Sequence, residues 1–550
     1  MNTQSATTTI SHEVTVAGGI FAAGHLGELT QYLPFELVDD VLAQTRTVQR
    51  RLRDLPSRVG VYFVLALGLF PRLGYARVWG KLTAGLPGAQ VPVPSEKALR
   101  DLRRRLGPAP LKALFEVVAG PLAQPHTLGV RFGGLRTVAF DGLNSLKIPD
   151  TSRNRSWAGK IRHRLGLAGY PALRVMTLAE TGTRGLLGAA LGSRTDRDET
   201  GLARRLVHLL GPGMLVLLDR GFDSNAFLAD IAGTGAALLA RAKSTRTPLV
   251  LAHLPDGSYL SLLDRLDVRI VEAEIAMTGA DGTRIADSYR LITTLTDHNA
   301  YPAEALVRLY HERWEIESAY LALRHTLLDG RVLRSGDRPG VEQELWALLT
   351  LYQLLRMAMV DAVETRPGTN PDRASFTTAL EAARDQLTAA AGVCPADPSE
   401  LTVIGRAVLD TLLPSRRPRF SARKVKCATS RYLNHGDQRP HTVTVITGIS
   451  VTVRTPPLRD TADGRRPHRR TSTGPKPPTR RQLITAIITS QPPRPWTSLE
   501  LARMLNVKPR HLATQLREWS LLGWFTRTGL GTYQLNTPHG STSSTTEPDP

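Results

Sequence analysis

The sequence predicts a multidomain α/β protein. Its centre is a mixed sheet with helices that carries a β-rich insertion, between a helical N-terminal region and a C-terminal winged helix-turn-helix. Three observations predict this. The chain has 550 residues, too many for one hydrophobic core. Its apolar pattern is helical before residue 120 and becomes strand-like from Arg136 onward. Its formal charge of +21 is uneven, with about +16 lying C-terminal to Ser415. A hydrophobic fraction of 41% suits a folded rather than a disordered chain.

Residues 1–26 form a loose, flexible lead-in, and 27–125 are helical. Phe35-Glu-Leu-Val-Asp-Asp-Val-Leu has helical spacing, and Val59 to Phe70 (VGVYFVLALGLF) supplies a buried helix. Ser95 is placed to cap a helix running through Leu106, which carries Arg100, Arg103, Arg104 and Arg105. That basic row is either a solvated face or a DNA-contacting one.

Residues 130–365 hold the mixed sheet. Thr137-Val-Ala-Phe-Asp141 is a buried strand ending in an acid, with Ser145 to Ile148 as its expected hairpin partner. Ala172 to Ala179 and Leu186 to Leu191 are two further strands around Thr181-Gly182. A helix from about Glu199 to Leu210 stops at Gly211-Pro-Gly213. Met214 to Leu218 is a continuous apolar run, as a strand buried on both faces requires, and it delivers Asp219. A helix from about Ser224 and a strand from Ala236 to Arg241 follow. The stretch from about 242 to 297 then interrupts with strand-like pieces. A long apolar helix from Val341 to Val363 ends at Thr365-Arg-Pro-Gly368.

Residues 366–479 read as a helical segment and a basic, proline-punctuated linker. Residues 480–537 predict helices at 482–489, 498–505 and 508–522 and then a hairpin turning at Gly529-Leu-Gly531. That is the pattern of a winged helix-turn-helix. The last stretch, 538–550, is expected to be a disordered tail.

Several function classes are excluded by the same reading. No phosphate-cradling G-x-x-x-x-G-K-[ST] loop or G-x-S-x-G elbow occurs. His311-Glu312-Arg313-Trp314-Glu315 starts like a zinc-protease motif but ends in Glu. Two cysteines, Cys394 and Cys427, make neither a disulfide framework nor a zinc site. The apolar run Val59 to Phe70 is too short to span a bilayer, and the N-terminus lacks a signal-peptide pattern, so a cytoplasmic location and no membrane partner are expected. The basic charge makes nucleic acid the natural partner, because Lys and Arg release counterions from phosphates.

The chemistry concentrates around Glu317. On a helix, Tyr310, Arg313, Glu317 and Arg324 fall at about 0°, 300°, 340° and 320°, a wedge roughly 60° wide. Glu312 and Glu315 point away, at about 200° and 140°. Asp141 and Asp219 end strands, where carboxylates at a sheet crevice can converge. Three hard oxygen ligands suit Mg²⁺, and two such ions would support in-line phosphoryl transfer. Asp196, Asp198 and Asp223 are reserve candidates.

Three segments carry a family resemblance: AFDGL around Asp141, LLDRGFDS around Asp219, and a Y-x2-R-x3-E-x6-K signature at Tyr310, Arg313, Glu317 and Arg324. With them the chain resembles a DDE transposase of the insertion-sequence-4 family of bacterial mobile elements. The resemblance implies an RNase H-like catalytic core over 130–365 and a DNA-binding N-terminal domain over 27–125. It implies Asp141, Asp219 and Glu317 as catalytic metal ligands for Mg²⁺, with Mn²⁺ as substitute, and Tyr310, Arg313 and Arg324 as DNA contacts. It further implies double-stranded DNA partners (the element's terminal inverted repeats and the target), a homodimer in a synaptic complex, and work on the bacterial nucleoid. Arg324 departs from the family, which usually has Lys there; the charge stays, but a planar fork replaces a compact ammonium. Two alternatives stay open: a catalytically inactive or host-adopted DNA-binding regulator, and an RNase H-like nuclease without strand joining.

Overall fold

The computed structural model describes most of residues 25–389 and then 402–414, 419–420 and 444–456, the exceptions before 389 being 51–54, 85–92, 144–145, 161, 164–165, 194–195, 197, 281, 283 and 313–321. Beyond these it describes 480–490, 494–505, 512–513, 516, 519–520, 525–529 and 532–536. The chain divides into two compact units, Met1–Arg459 and Asp460–Pro550.

The first unit opens with helices α1 (Phe35–Gln44), α2 (Ser57–Leu69), α3 (Tyr75–Thr83), α4 (Glu96–Leu106) and α5 (Ala109–Val118). Ser95 caps α4 by accepting from the Ala98 N–H, as its position before the apolar repeat predicts. The sheet follows as β1 (Leu135–Leu143), β2 (Arg174–Glu180), β3 (Leu186–Gly192), β4 (Met214–Leu218) and β5 (Ala237–Arg241). Short helices α6 (Ser152–Trp157), α7 (Glu199–Arg204) and α8 (Asn225–Ala232) connect them.

In space the five strands lie in the order β3-β2-β1-β4-β5, antiparallel up to β1 and parallel from β1 to β5. This mixed sheet with helices fits an RNase H-like core. The partner of β1 is β2, not the Ser145–Ile148 stretch that sequence suggested: there Lys147 makes only an isolated bridge to Ala172. Pairing with β2 lets β1 bury a continuous run from Thr137 to Phe140, which a two-strand hairpin could not cover.

The insertion lengthens this sheet. Strands β6 (Tyr259–Leu263), β7 (Leu266–Gly279) and β8 (Arg284–Thr293) continue from β5 through β8 to β7, all antiparallel. The next neighbour of β7 comes from far along the chain. Within the segment read as helices and a basic linker, Thr444–Val453 forms strand β9, and it pairs with β7 from Ala273 to Gly279. The reason is β7 itself, a 14-residue strand whose outer edge would otherwise present unpaired backbone groups.

Each sheet face has its own cover. Val138, Phe140, Val216 and Leu218 face α7 and α8 through Leu202, Phe227 and Ile231. Ala139, Leu215 and Leu217 face α9 (Ala303–Glu312) through Leu306, Val307 and Tyr310, with Ile449, Val451 and Val453 of β9 alongside. Farther along that second face, Val175, Ala179 and Leu186 pack against the helix α10 (Arg338–Glu364) and the N-terminal helices. The N-terminal helices therefore share one core with α10, α11 (Phe376–Ala389) and α12 (Val403–Asp410). Arg103 ties α4 to α10: it is buried and bonds Gln343 and Glu344 at 2.9 and 3.0 Å, so it leaves the basic row of α4.

At 27 residues α10 is longer than the Val59–Phe70 run and apolar enough to cross a bilayer by length and composition, with 89% of its apolar window buried within the protein. That burial by protein marks a core helix.

The second unit contains α13 (Arg480–Thr489), α14 (Ser498–Met504) and a three-stranded sheet of β10 (Trp496–Thr497), β11 (Phe525–Gly529) and β12 (Thr532–Leu535), ordered β10-β12-β11. Thr497 and Glu500 form a reciprocal cap on α14. Ile484, Leu501, Leu512, Leu516 and Phe525 share its core. Most of the helix expected at 508–522 lies outside the described residues; 512–513, 516 and 519–520 are described and helical.

Candidate active site

The parallel register of β1 and β4 brings the two aspartates together. Arg136 pairs with Met214, Thr137 with Leu215, Val138 with Val216 and Ala139 with Leu217. Two residues on, the same register sets Asp141 level with Asp219 across strands about 4.8 Å apart. Strand alternation puts Asp141 on the side of Ala139, and Asp219 continues the side of Leu217, which is the face under α9. Asp141 is half-buried opposite Thr177 of β2, and one of its oxygens accepts from the Gly142 N–H at 2.8 Å. Asp219 is exposed and accepts from the Arg220 N–H at 2.7 Å, capping the short helical turn Arg220–Phe222.

Helix α9 is fastened at the same corner. Tyr310 is buried, and its hydroxyl donates to the Leu218 carbonyl at 3.0 Å, one residue before Asp219. Its ring meets Tyr289 edge-on at 5.7 Å. The group expected at a DNA phosphate thus holds the strand that delivers Asp219 from inside the protein. Next to it, His311 faces the Tyr289 hydroxyl at 3.1 Å, and burial holds its imidazole below the usual histidine range.

Arg313 and Glu317 lie outside the described residues. Arg324 is described, and it corrects the wedge: Ala322–Leu327 is a π-helical turn, in which Leu328 N–H donates to the Leu323 carbonyl five residues back. A wider turn breaks the 100° count, so the 320° assigned to Arg324 does not carry through. The half-buried Arg324 donates from Nε to His325 Nε2 at 2.8 Å.

The reserve acids have structural partners. Asp196 binds Ser193 and Arg205, Asp198 caps α7 at the Gly201 N–H, and Asp223 is buried against Lys243 and Arg246. Sequence reasoning passed over the end of β5 and the residues just beyond it. There Arg241 stands beside Asp219 by register, its guanidinium 4.6 Å over the Tyr289 ring, and the turn from Lys243 to Arg246 follows. The signal was present: four residues of Arg241-Ala-Lys-Ser-Thr-Arg246 at the end of a parallel strand are charged or hydroxylic beyond Arg241.

Among the described residues no group of three or more His, Cys, Asp or Glu side chains gathers as a metal site. Asp141 and Asp219 offer two neighbouring hard-oxygen donors, which fit a hard divalent cation and not a soft one. A third ligand would have to come from elsewhere.

Two family models match the chain: Insertion element 4 transposase N-terminal over residues 23–116, and Transposase DDE domain over 135–354. The chain belongs to the insertion-sequence-4 family of DDE transposases. It is similar to transposase InsG for insertion sequence element IS4 of Escherichia coli (strain K12), at 29% identity over 415 residues that cover 73% of this chain and 92% of that protein. A piggyBac transposase solved in a synaptic complex with hairpin DNA shares 10% identity, covering 71% of this chain and 85% of that one at a TM-score of 0.35. That likeness is too loose to carry an argument. The family's DDE domain spans β1 through the middle of α10, so both aspartates fall inside it.

Proposed function

We propose that this DNA transposase cuts the terminal inverted repeats of its element and joins them to target DNA, with Asp141, Asp219 and Glu317 holding the metal. The observation that carries the reading is the pairing of Asp141 with Asp219 at the ends of adjacent parallel strands, under a helix bonded to the intervening carbonyl. Mg²⁺, or Mn²⁺ in its place, would when bound supply a Lewis acid for an in-line phosphoryl transfer. Asp141 and Asp219 present the oxygens, and Tyr310 keeps α9 against β4 so that the chain leads from that corner into Arg313 and Glu317. Tyr310, near the end of α9, is buried in the cluster under β1 and β4, and Ala322 and Leu323 are buried in the cluster around α10. Arg313 and Arg324 hold the phosphate backbone by charge.

The winged helix-turn-helix reading of 480–537 is part of the proposal, supported by two helices and a three-stranded sheet with a β11–β12 hairpin. That unit adds duplex affinity, the N-terminal helices bind element ends, and the protein works as a homodimer on nucleoid DNA in the bacterial cytoplasm.

The test is a labelled element-end duplex incubated with purified protein and Mg²⁺. Nicking and joined product are expected, with Glu317→Gln abolishing both while duplex binding persists. Binding without any nicking would mark a regulator, and nicking without joined product would mark a nuclease.

A further inference from the structure

Four residues after Asp219, at the foot of the same turn, Asp223 is 3% exposed. One of its oxygens accepts from the Lys243 N–H at 2.7 Å and from Arg246 Nε at 3.1 Å. The other lies 2.6 Å from Arg246 Nη2, a charge contact outside hydrogen-bond geometry. The Lys243 ammonium returns to the Asp223 carbonyl at 2.8 Å. The turn from Lys243 to Arg246 is held from its far side too, since Arg290 of β8 donates to the Arg246 carbonyl at 2.6 Å and pairs with Glu272 of β7 at 2.8 Å. Tyr259 of β6 closes the chain with a bond to Glu272 at 2.9 Å. A continuous polar line therefore runs from the foot of the Asp219 turn into the insertion.

We propose that Asp223 is a positioning residue: it fixes the turn that presents Asp219 and ties that turn to the insertion through Lys243, Arg246 and Arg290. The turn has Phe222 packed against Phe140 and Phe227, and beyond that little to set its pitch. It is one short helical piece, with Phe222 N–H on the Asp219 carbonyl and Asp223 N–H on the Arg220 carbonyl at 2.9 and 3.4 Å. At its upper end Asp219 continues β4, and at its lower end Asp223 is the anchor. All three groups around the Asp223 carboxylate are donors, so an amide in its place would aim N–H at N–H on one side. Burial leaves no water to relieve that clash. This inference rests on reading Asp219 as a metal-holding residue.

The experiment compares the full chain with Asp223→Asn and Asp219→Asn. It measures duplex affinity, thermal midpoint, single-turnover nicking at saturating duplex, and Mn²⁺ binding by electron paramagnetic resonance. Asp223→Asn should lower the midpoint, as a change at a buried ion pair does, and keep the duplex affinity of the folded protein near wild type, while nicking per folded molecule and Mn²⁺ affinity each fall about 10- to 100-fold, as loss of an orienting partner does at metal sites. Unchanged nicking per folded molecule and Mn²⁺ affinity, or losses that the unfolded fraction accounts for in full, would overturn the assignment. If Asp223→Asn does not fold, Arg246→Gln decides the matter: a smaller loss of the same two quantities supports the assignment, and no loss overturns it. Asp219→Asn separates the two layers. Should Asp219→Asn still nick, the reading of the metal site has failed; should it be inert while Asp223→Asn is fully active, only the positioning role has failed.

Discussion

Strand β1 has carboxylates near both ends, and they live in opposite surroundings. At its start, Glu180 on the neighbouring strand is fully buried and accepts from the N–H groups of Leu122 and Ala123 at 3.2 and 3.1 Å, from Arg136 Nη1 at 2.6 Å, and from the Thr183 hydroxyl. At its finish, Asp141 and Asp219 sit level with each other, half-buried and exposed, each turned onto the N–H of the next residue. A carboxylate ringed by donors from four directions is a structural anchor, because its charge is neutralised where it stands. Two carboxylates side by side repel each other unless a cation joins them. The same strand thus fixes the fold at one end and, at the other, carries the carboxylates proposed above to hold the metal.

The largest effect that could break this contrast is at the catalytic end. Asp219→Asn should lower nicking by about 10³-fold or more, since even one lost electrostatic stabiliser costs about 10²–10³. Its unfolding midpoint should fall far less than that of a buried anchor, because Asp219 is exposed and an asparagine oxygen still accepts from the Arg220 N–H. A clear drop in midpoint would mean that Asp219 is an anchor after all.

The opposite signature is expected at the other end. Glu180→Gln leaves Arg136 beside a neutral group and asks one amide oxygen to serve four donors. Breaking a buried pair typically costs about 3–5 kcal/mol, which in a domain of this size lowers the melting temperature by about 10 °C. Nicking per folded molecule should survive. If Glu180→Gln melts like wild type, the donors around Glu180 are redundant and the contrast weakens.

A milder change sharpens the role of α9. Tyr310→Phe removes the bond to the Leu218 carbonyl and should cost about 1 kcal/mol by denaturant unfolding. Because that carbonyl precedes Asp219, nicking should fall by more than the unfolded fraction explains. Equal losses in the two measurements would leave Tyr310 with a packing role alone.

Much of the catalytic corner was legible because it is local. Met214 to Leu218 is a run of five apolar residues that ends at Asp219, and Val138 to Phe140 is a shorter one before Asp141. Burial on both faces writes itself into sequence as unbroken apolar runs. Pairings across long stretches of chain are not written that way. Nothing near Thr444 announces that it will lie along β7, because the cause is an open edge some 165 residues earlier in the chain. The merged helical core is similar: α10 looks apolar all round, but which helices cover it depends on contacts such as Arg103 with Glu344, which no periodicity reveals. At Arg324 the error was geometric. A constant 100° per residue was carried through a stretch that winds as a π-turn, and a helix angle is only as good as the hydrogen-bond ladder beneath it.

The smallest effect expected concerns acidity and the same helix. Burial lowers the His311 imidazole below its ordinary value of 6.5, and the Asp287 carboxylate opposes this only in part. A depressed histidine favours the folded state while it is neutral. As pH falls below about 6.5 the unfolded chain takes up the proton first, so stability declines until the pH passes the lower folded value and then levels. His25 and His325 are also depressed by burial, so the decline has three contributors among the described residues. His311→Gln should therefore make the fall in denaturant midpoint between pH 7.5 and pH 5 shallower without abolishing it. An unchanged slope would mean that burial beside Tyr289 does not depress the His311 imidazole.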